Sequence, residues 1–290
     1  MTARSDTPHL LVLGLGYSGR AIAAAAGRLG WRVTVTSRDP GRHAPPAGVA
    51  LVAFDAAPFA AATHVVQTAA PDDGGDPALS RFGPQAVEHL RWAGYLSTTG
   101  VYGDRNGGWV DEDTAVAPVV PRAQRRVAAE QAWVAAVPAA PVDVFRLAGI
   151  YGPGRSAFDE VRAGTARRVD KPGHLFGRIH RDDIAAAVVA AMQQGRDPGA
   201  RVLNLADDEP ASSADVTAEA ARLLGLPPPP LIPFEAALAT MSPMGRSFWS
   251  ENRRVRSQKT KDRLGLQWLY PTYREGLRAI LQQERAEGAA

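Results

Sequence analysis

The sequence contains no cysteine and very little lysine. The lack of cysteine excludes disulfides, zinc–thiolate sites, iron–sulfur clusters and thiol nucleophiles. Of the 33 basic residues only Lys171, Lys259 and Lys261 are lysines, and the formal net charge is no more than +3. The arginines form no stripe with interleaved aromatic side chains, so we predict no nucleic-acid partner.

Long hydrophobic runs are also absent from the sequence. Residues 1–9 are mostly polar, and the apolar run at residues 10–13 ends at once in glycine. So short a run fits neither a signal peptide nor a membrane span. We therefore predict a cytoplasmic protein with no membrane partner. The histidines and carboxylates do not have the spacing of metal ligands, so no metal site is predicted.

Short apolar segments alternate with helical ones along the first half of the chain. The predicted strands are residues 9–13, 31–36, 49–54, 63–67, 93–97, 142–147 and 201–206. The predicted helices are residues 20–29, 78–92, 123–137, 184–192, a segment from 212 or 213 to 224, and 273–287. This alternation predicts an α/β protein with a doubly wound parallel sheet, the Rossmann fold.

Beyond Gly152 the regular alternation ends. We predict one Rossmann-type domain over residues 1–290, with a small C-terminal substrate-binding lobe built from about 154–177 and 208–272. Asp182 is expected to cap a helix, and Gly225 to follow the end of another. Open α/β sheets bind ligands outside the carboxyl ends of their strands, so the substrate cleft is expected beside the lobe at that edge.

Residues 14–19 read Gly-Leu-Gly-Tyr-Ser-Gly, directly after a predicted strand and directly before a predicted helix. In a G-x-G-x-x-G motif the first glycine permits a tight turn and the second lets the backbone approach a pyrophosphate. The third lets helix and strand pack closely, and the helix N-terminus offers N–H groups to phosphate. We predict a dinucleotide site that includes Gly14, Gly16, Tyr17, Ser18 and Gly19.

The end of the second predicted strand lacks the acidic residue that usually selects NAD about 20 positions past the glycine motif. Ser37 and Arg38 occupy that place, and Asp39 follows. A guanidinium can make two parallel bonds to a 2′-phosphate, and a serine hydroxyl can donate a third. We therefore predict NADP in preference to NAD. The alternative is that Arg38 is a solvated surface arginine.

Three further residues complete the predicted cofactor set. Asp55, at the end of the third predicted strand, could accept a hydrogen bond from the adenine or cap the next helix. Ala69 and Ala70 follow the fourth predicted strand, on the edge where the sheet is expected to bind its ligand.

Five segments occur in a fixed order: Ser-Thr-Thr-Gly-Val-Tyr-Gly at 97–103, Phe-Arg-Leu-Ala-Gly-Ile-Tyr-Gly-Pro-Gly at 145–154, Ile-His-Arg-Asp-Asp at 179–183, Val-Leu-Asn-Leu-Ala at 202–206 and Lys-Asp-Arg-Leu-Gly-Leu at 261–266. Together they resemble the motifs of the extended short-chain dehydrogenases/reductases, the NAD(P)-dependent epimerase/dehydratase family. The resemblance implies a cofactor-dependent oxidoreductase or epimerase, commonly of nucleotide sugars. It also implies a homodimer formed through the helices at 78–92 and 123–137.

The catalytic Tyr-x-x-x-Lys motif of that family is missing. None of the six tyrosines is followed by lysine four residues later, and the aligned places hold Arg122 and Arg126. In the family the lysine lowers the pKa of the tyrosine, whose phenol then exchanges a proton with the substrate. Arginine, with a pKa above about 12, neither gives nor takes a proton near neutrality. Arg122 could instead bind an anionic substrate and Arg126 a cofactor ribose, or both could be solvated surface residues.

Four other residues are candidates for the reaction itself. Thr98 aligns with the family's catalytic serine or threonine, which binds the reacting oxygen without ionising. Tyr102 and His180 are candidate proton donors, because one is close to Thr98 in sequence and the other has a suitable intrinsic pKa. Tyr151, which follows the sixth predicted strand, is a candidate both for proton donation and for substrate binding. For each of the last three, a structural role is the alternative.

Two functions remain open on the sequence. The first is an NADP-dependent oxidoreductase or epimerase that acts on a carbonyl or secondary alcohol, with a non-standard proton relay. The stretch between residues 70 and 92 is short, which favours a substrate smaller than a nucleotide sugar. The second is a non-catalytic NADP(H)-binding protein that senses the redox ratio, which the loss of Tyr-x-x-x-Lys favours.

Overall fold

The computed structural model describes residues 7–288. Its strands are β1 (His9–Leu13), β2 (Arg32–Ser37), β3 (Ala50–Ala53), β4 (His64–Gln67), β5 (Trp92–Thr98), β6 (Trp109–Val110), β7 (Pro141–Leu147), β8 (Gly149–Tyr151), β9 (Arg168–Asp170), β10 (Arg178–His180), β11 (Gly199–Leu205), β12 (Leu231–Pro233) and β13 (Arg254–Val255). Its helices are α1 (Tyr17–Arg28), α2 (Pro77–Phe82), α3 (Pro121–Ala136), α4 (Ala157–Arg162), α5 (Arg181–Gln193), α6 (Ser213–Leu223), α7 (Phe234–Leu238), α8 (Pro243–Trp249), α9 (Gln258–Leu264) and α10 (Tyr273–Gly288).

Seven strands form one parallel sheet in the order β11-β7-β5-β4-β1-β2-β3, which confirms the predicted Rossmann-like α/β fold. All five residues of β1 are buried, as expected for a central strand covered on both faces. The strand order reverses between β1 and β4. In doubly wound sheets this reversal opens a crevice at the carboxyl ends of the two strands, where ligands bind.

The chain divides into two compact units. The first comprises residues 7–101, 120–146 and 184–203 and contains most of the large sheet. Its core includes Tyr95 and Trp133, both fully buried among aliphatic side chains of β1, β4 and β7.

The second unit comprises residues 102–119, 147–183 and 204–288. It holds three small parallel strand pairs, β10 with β8, β12 with β9, and β13 with β6. A second apolar core lies where α4, α6 and α10 pack together, with Phe158, Ala220 and Leu277 at its centre.

The predicted helix at 78–92 is wrong over most of its length. Helix α2 ends at Phe82, because Gly83 adopts a φ of +76° and Pro84 follows it. A residue in that conformation and a proline both interrupt helical hydrogen bonding. Trp92 belongs instead to β5, where its indole N–H donates to the carboxylate of Asp143 at 2.8 Å. The dimer helix expected at 78–92 is therefore absent from the described chain.

Two helix ends also differ from expectation, and one agrees. Helix α1 begins at Tyr17, three residues before the predicted start. Asp182 does not cap α5 but lies inside it, paired with Arg181 at 3.1 Å. Ser212 caps α6 by accepting the N–H of Asp215 at 3.0 Å, as predicted. None of the helices within residues 7–288 is long and apolar enough to cross a lipid bilayer.

Candidate cofactor site

The predicted cofactor residues follow strands that end side by side in the first unit. The register pairs Val12 of β1 with Val35 of β2 and Leu13 with Gln67 of β4, and Gln67 in turn pairs with Tyr95 of β5. Because these strands are parallel, the segments that follow them leave the sheet on the same edge. That edge includes the crevice between β1 and β4.

At the first and third glycines of the loop, protein contacts leave no room for a side chain. Gly14 adopts a φ of +111°, and a methyl group on it would lie 2.7 Å from the hydroxyl oxygen of Thr68. That hydroxyl donates to the carbonyl oxygens of Leu13 at 2.9 Å and Gly14 at 3.0 Å. A methyl group on Gly19 would overlap the carbonyl oxygen of Gly14. Thr68 was not predicted from the sequence, although it tethers the loop to β1.

Gly16 differs from the other two glycines, because its free side is open. No atom of the described residues lies within 4 Å of where its Cβ would be. Gly16 also precedes the first residue of α1, and without a side chain it makes no side-chain cap. The N–H groups of the first helical turn have no acceptors within the helix and carry the positive end of its dipole. This open cradle fits the pyrophosphate of a dinucleotide.

The end of β2 presents Ser37 and Arg38 at this edge. Arg38 is exposed and Ser37 half-buried, and the Ser37 hydroxyl accepts the N–H of Asp39 at 3.1 Å. The carboxylate of Asp39 faces the guanidinium of Arg42 at 3.4 Å. Asp55 does not cap a helix: its carboxylate is paired with Arg81 at 2.7 Å and is largely exposed. The guanidinium of Arg38 is thus an exposed positive charge next to the end of β2.

A buried polar chain fixes the segment after β4. The side-chain carbonyl of Gln67 accepts the N–H of Ala69 at 3.1 Å, and its amide donates to Asp76 at 2.8 Å. Asp76 in turn caps α2 by accepting the N–H of Ala78 at 3.0 Å. Ala69 is half-buried and Ala70 exposed. The side chain of Gln67 therefore links the backbone at Ala69 to Asp76 and the N-terminus of α2.

Thr98 is the last residue of β5 and is half-buried, with its hydroxyl accepting the N–H of Gly100 at 3.1 Å. The residue before it, Ser97, donates to the carboxylate of Glu130. Glu130 also forms a buried salt bridge with Arg146 at 2.7 Å. These contacts join β5, α3 and β7 at the residue that precedes Thr98, and nothing in the sequence pattern had indicated them.

The two arginines aligned with the missing Tyr-x-x-x-Lys motif lie on α3 with different surroundings. Arg126 donates to the carbonyl oxygen of Leu96 at 2.7 Å and to the hydroxyl of Tyr95 at 3.2 Å. Burial raises the pKa of Tyr95 to about 12, although the nearby guanidinium opposes this. Arg126 thus anchors α3 to β5, a structural role that neither the ribose hypothesis nor the solvated-surface alternative had anticipated. Arg122 is exposed one turn earlier.

The remaining candidates, Tyr102, His180 and Tyr151, lie in the second unit and are all buried. Tyr102 is fully buried and donates its phenol proton to the side-chain oxygen of Asn204 at 2.8 Å. A side chain with no exposed surface does not contact a substrate in this conformation. Tyr102 therefore has the environment of a structural residue.

His180 is enclosed by aromatic rings. Its ring meets Tyr270 edge-on at 4.2 Å and Tyr151 at 5.2 Å between centroids, and its Nδ1 accepts the N–H of Asp182 at 3.2 Å. Burial lowers the pKa of His180 to about 4, so the ring is neutral at pH 7. Burial raises the pKa of Tyr151 as well. Neither group is suited to donate a proton near neutrality.

The comparisons with known proteins agree with this fold. No protein-family model matches the chain. The protein YeeZ of Escherichia coli K12 is 30% identical over 243 residues, which cover 75% of this chain and 84% of YeeZ. The chain belongs to the same family as YeeZ.

Solved structures share the fold of this chain. The structure of a functionally unknown conserved protein from Silicibacter pomeroyi DSS is 44% identical over 96% of this chain and 99% of that one, with a TM-score of 0.86. The human epimerase family protein SDR39U1, solved with NADPH, is 19% identical over 94% of this chain and 99% of that one, with a TM-score of 0.72. UDP-glucuronic acid 4-epimerase from Bacillus cereus, solved with NAD, is 16% identical over 95% and 99%, with a TM-score of 0.71. The chain has the extended short-chain dehydrogenase/reductase fold of these epimerase/dehydratase neighbours.

Proposed function

We propose that the protein binds NADP(H) and is an oxidoreductase or epimerase acting on a carbonyl or secondary alcohol. The observation that carries the proposal is the glycine cradle. Gly14 and Gly19 are closed by protein contacts, whereas Gly16 keeps an open side at the N-terminus of α1. Neither a protein contact nor the backbone conformation, at φ −79° and ψ −172°, requires glycine at position 16, so a ligand that approaches the backbone is the reason we give for it.

The preference for NADP rests on the end of β2. Arg38 is exposed there beside Ser37, and the nearest carboxylate, Asp39, already faces Arg42. An arginine attracts the 2′-phosphate of NADP, whereas NAD is usually held by a carboxylate at this place. The fold accommodates either cofactor, since SDR39U1 was solved with NADPH and the Bacillus cereus epimerase with NAD. The distinction therefore depends on this chain's own residues.

When bound, the nicotinamide supplies the hydride donor or acceptor of the reaction. Thr98 would hold the reacting oxygen through its hydroxyl, in a position that the buried Glu130–Arg146 pair beneath β5 keeps fixed. Tyr102 and His180 are buried and poorly suited to move protons, so the proton would exchange with water. Arg122 would attract an anionic substrate group. Nucleotide sugars and smaller carbonyl compounds are both candidate substrates for this reaction.

The second candidate function is a non-catalytic NADP(H)-binding protein that reports the redox ratio to a partner. The burial of Tyr102 and His180 favours it, because the side chains best placed by sequence to replace the missing relay are engaged in structural contacts. The half-buried hydroxyl of Thr98 favours the enzyme.

The first test is a pair of calorimetric titrations, with NADPH and with NADH, of the wild type and of Arg38→Ala. We expect NADPH to bind at least about tenfold more tightly than NADH, a difference of about 1.4 kcal/mol. Arg38→Ala should remove that gap and leave NADH binding unchanged. Arg28→Ala, which removes another exposed arginine at the far end of α1, is the matched control. Equal affinities in the wild type would refute the NADP preference, and failure to bind either cofactor would refute the proposal.

The second test separates the enzyme from the sensor. Stereospecifically deuterated NADPH is incubated with a panel of carbonyl compounds, and deuterium in the product is followed by mass spectrometry. An enzyme transfers deuterium, and Thr98→Val should slow the transfer without changing the affinity for NADPH. A protein that binds NADPH tightly and transfers no deuterium to any carbonyl compound is the sensor.

A further inference from the structure

The second unit contains a cavity of about 400 Å³ to which no role has been assigned. Its lining includes Tyr151, Arg178, Ser213 and Tyr273, and it is bordered by α4, α6 and α10. Small-molecule sites typically occupy about 300–1,000 Å³. The volume is therefore sufficient for a small organic ligand.

Arg178 is the charged side chain that distinguishes this cavity. One of its terminal nitrogens donates to the carbonyl oxygens of Phe176 at 2.9 Å and Ala211 at 3.0 Å. Its guanidinium also faces the rings of Phe176 and Tyr273, each about 6.0 Å from the centroid. Within residues 7–288 no carboxylate forms an ion pair with it. A charge held away from bulk water normally has a counter-ion.

The nearest acidic group does not fill that place. Asp207 lies almost fully buried, and its backbone N–H donates to the carbonyl oxygen of Arg178 at 2.6 Å. Both of its carboxylate oxygens are buried without a hydrogen-bond partner among the described residues. Burial keeps the pKa of Asp207 well above its usual range, which favours the neutral acid. Arg178 thus keeps positive charge to offer to a ligand.

Other groups around the cavity favour an anion. Helices α6 and α10 begin with the lining residues Ser213 and Tyr273, so the N-terminal turns of two helices, where the helix dipole is positive, border the cavity. The two acidic lining residues, Asp159 and Glu160, are exposed, and Asp159 already accepts the N–H of Ser156 at 2.8 Å. Solvent screens exposed charges more strongly than partly buried ones.

We propose that this cavity binds the oxyanion group of a small organic molecule, a carboxylate or a phosphate, with Arg178 as its counter-ion. The ring of Tyr273 beside the guanidinium supplies an apolar wall for the rest of the ligand. The lining residues all belong to the second unit, whereas the glycine cradle belongs to the first. The proposal does not depend on the identity of the cofactor.

The test is direct binding to the full-length protein. Inorganic phosphate and benzoate are titrated separately by calorimetry in a chloride buffer of constant ionic strength, which distinguishes a phosphate ligand from a carboxylate ligand. Arg178→Gln should weaken binding of the preferred probe at least about tenfold, since charge-assisted hydrogen bonds are lost. The matched control is Arg246→Gln, an exposed arginine on α8 away from the cavity lining, which should bind as the wild type does.

A second variant guards against misfolding of the first. Ser213→Phe retains Arg178 but fills the cavity, so it should also lose binding while its circular dichroism stays unchanged. Loss of binding in both variants supports the proposal. It would be overturned by the absence of saturable binding of either probe to the wild type. Binding that survives both substitutions would equally overturn it, and would place the anion elsewhere, such as at the glycine cradle.

Discussion

Substituting the second glycine of the cradle separates its role in folding from its role in binding. Gly16→Ala places a methyl group where the structure has no atom within 4 Å, and the backbone there, at φ −79° and ψ −172°, suits any residue. Alanine is a less favourable N-cap residue than glycine, and this lowers the free energy of unfolding by about 0.5–1 kcal/mol. It also restricts the unfolded chain, which stabilises the fold by about 0.4–1 kcal/mol. These two effects offset each other, so stability should change by less than about 1 kcal/mol.

The effect on cofactor binding should be much larger. If the pyrophosphate approaches the backbone at Gly16, the added methyl group occupies the space it needs. Forcing an extra methyl group into a filled contact typically costs about 1–3 kcal/mol. We therefore expect NADPH to bind Gly16→Ala roughly 5-fold to 150-fold more weakly than the wild type.

Two measurements on the same sample decide the matter: urea unfolding for stability and calorimetric titration with NADPH for affinity. Gly195→Ala is the matched control, because Gly195 is exposed and its Cβ position is also free of contacts within 4 Å. The control should leave the affinity for NADPH unchanged and should raise the free energy of unfolding by no more than about 1 kcal/mol. An unchanged dissociation constant for Gly16→Ala would refute the placement of the pyrophosphate. A large loss of stability in Gly16→Ala would refute the open cradle itself.

Two further predictions concern buried charges. Glu130→Gln leaves Arg146 without its partner and should lower the free energy of unfolding in urea by about 3–5 kcal/mol. The control, Glu284→Gln at a more exposed ion pair, should lower it by less than about 1 kcal/mol. Equal losses in the two variants would contradict the argument. His180 has a pKa of about 4 in the folded protein against 6.5 as its ordinary value, so the unfolded state gains the proton first as the pH falls. Its contribution, up to about 3 kcal/mol, is present above pH 6.5 and lost between pH 6.5 and 4. His180→Phe should reduce the slope of the unfolding free energy across that interval, to which His64 and His174, with pKa values that burial also lowers to about 4, still contribute. An unchanged slope would count against the burial of His180.

The geometry of the glycine loop could be predicted from the sequence because it depends on the backbone. The spacing of Gly14, Gly16 and Gly19 between a strand and a helix encodes a tight turn, an open approach and a close contact, each of which only glycine permits. The parallel sheet was predictable for a related reason, since fully buried strands such as β1 read as unbroken apolar runs. The helix predicted at 78–92 was wrong because Gly83 and Pro84 interrupt it.

The surroundings of the candidate catalytic residues could not be predicted in this way. Glu130 contacts Ser97, 33 positions earlier in the sequence, and Arg146, 16 positions later. No local sequence pattern indicates such a network. The burial of His180 depends on Tyr270, which lies 90 positions later in the chain. Motif similarity identifies which residue type occupies a position, whereas its protonation depends on neighbours that only the fold brings together.

This difference bears on which part of the proposed function is the better founded. Cofactor binding depends on main-chain N–H groups and on the absence of side chains, and these features are intact at the edge formed by β1, β2 and β4. Proton transfer depends on one side chain of suitable pKa that reaches the substrate, and Tyr102 and His180 are both enclosed. A reaction supported by this site must therefore take its proton from water or need none at the hydride-transfer step. Thr98, whose hydroxyl binds oxygen without ionising, is the residue that such a reaction would still require.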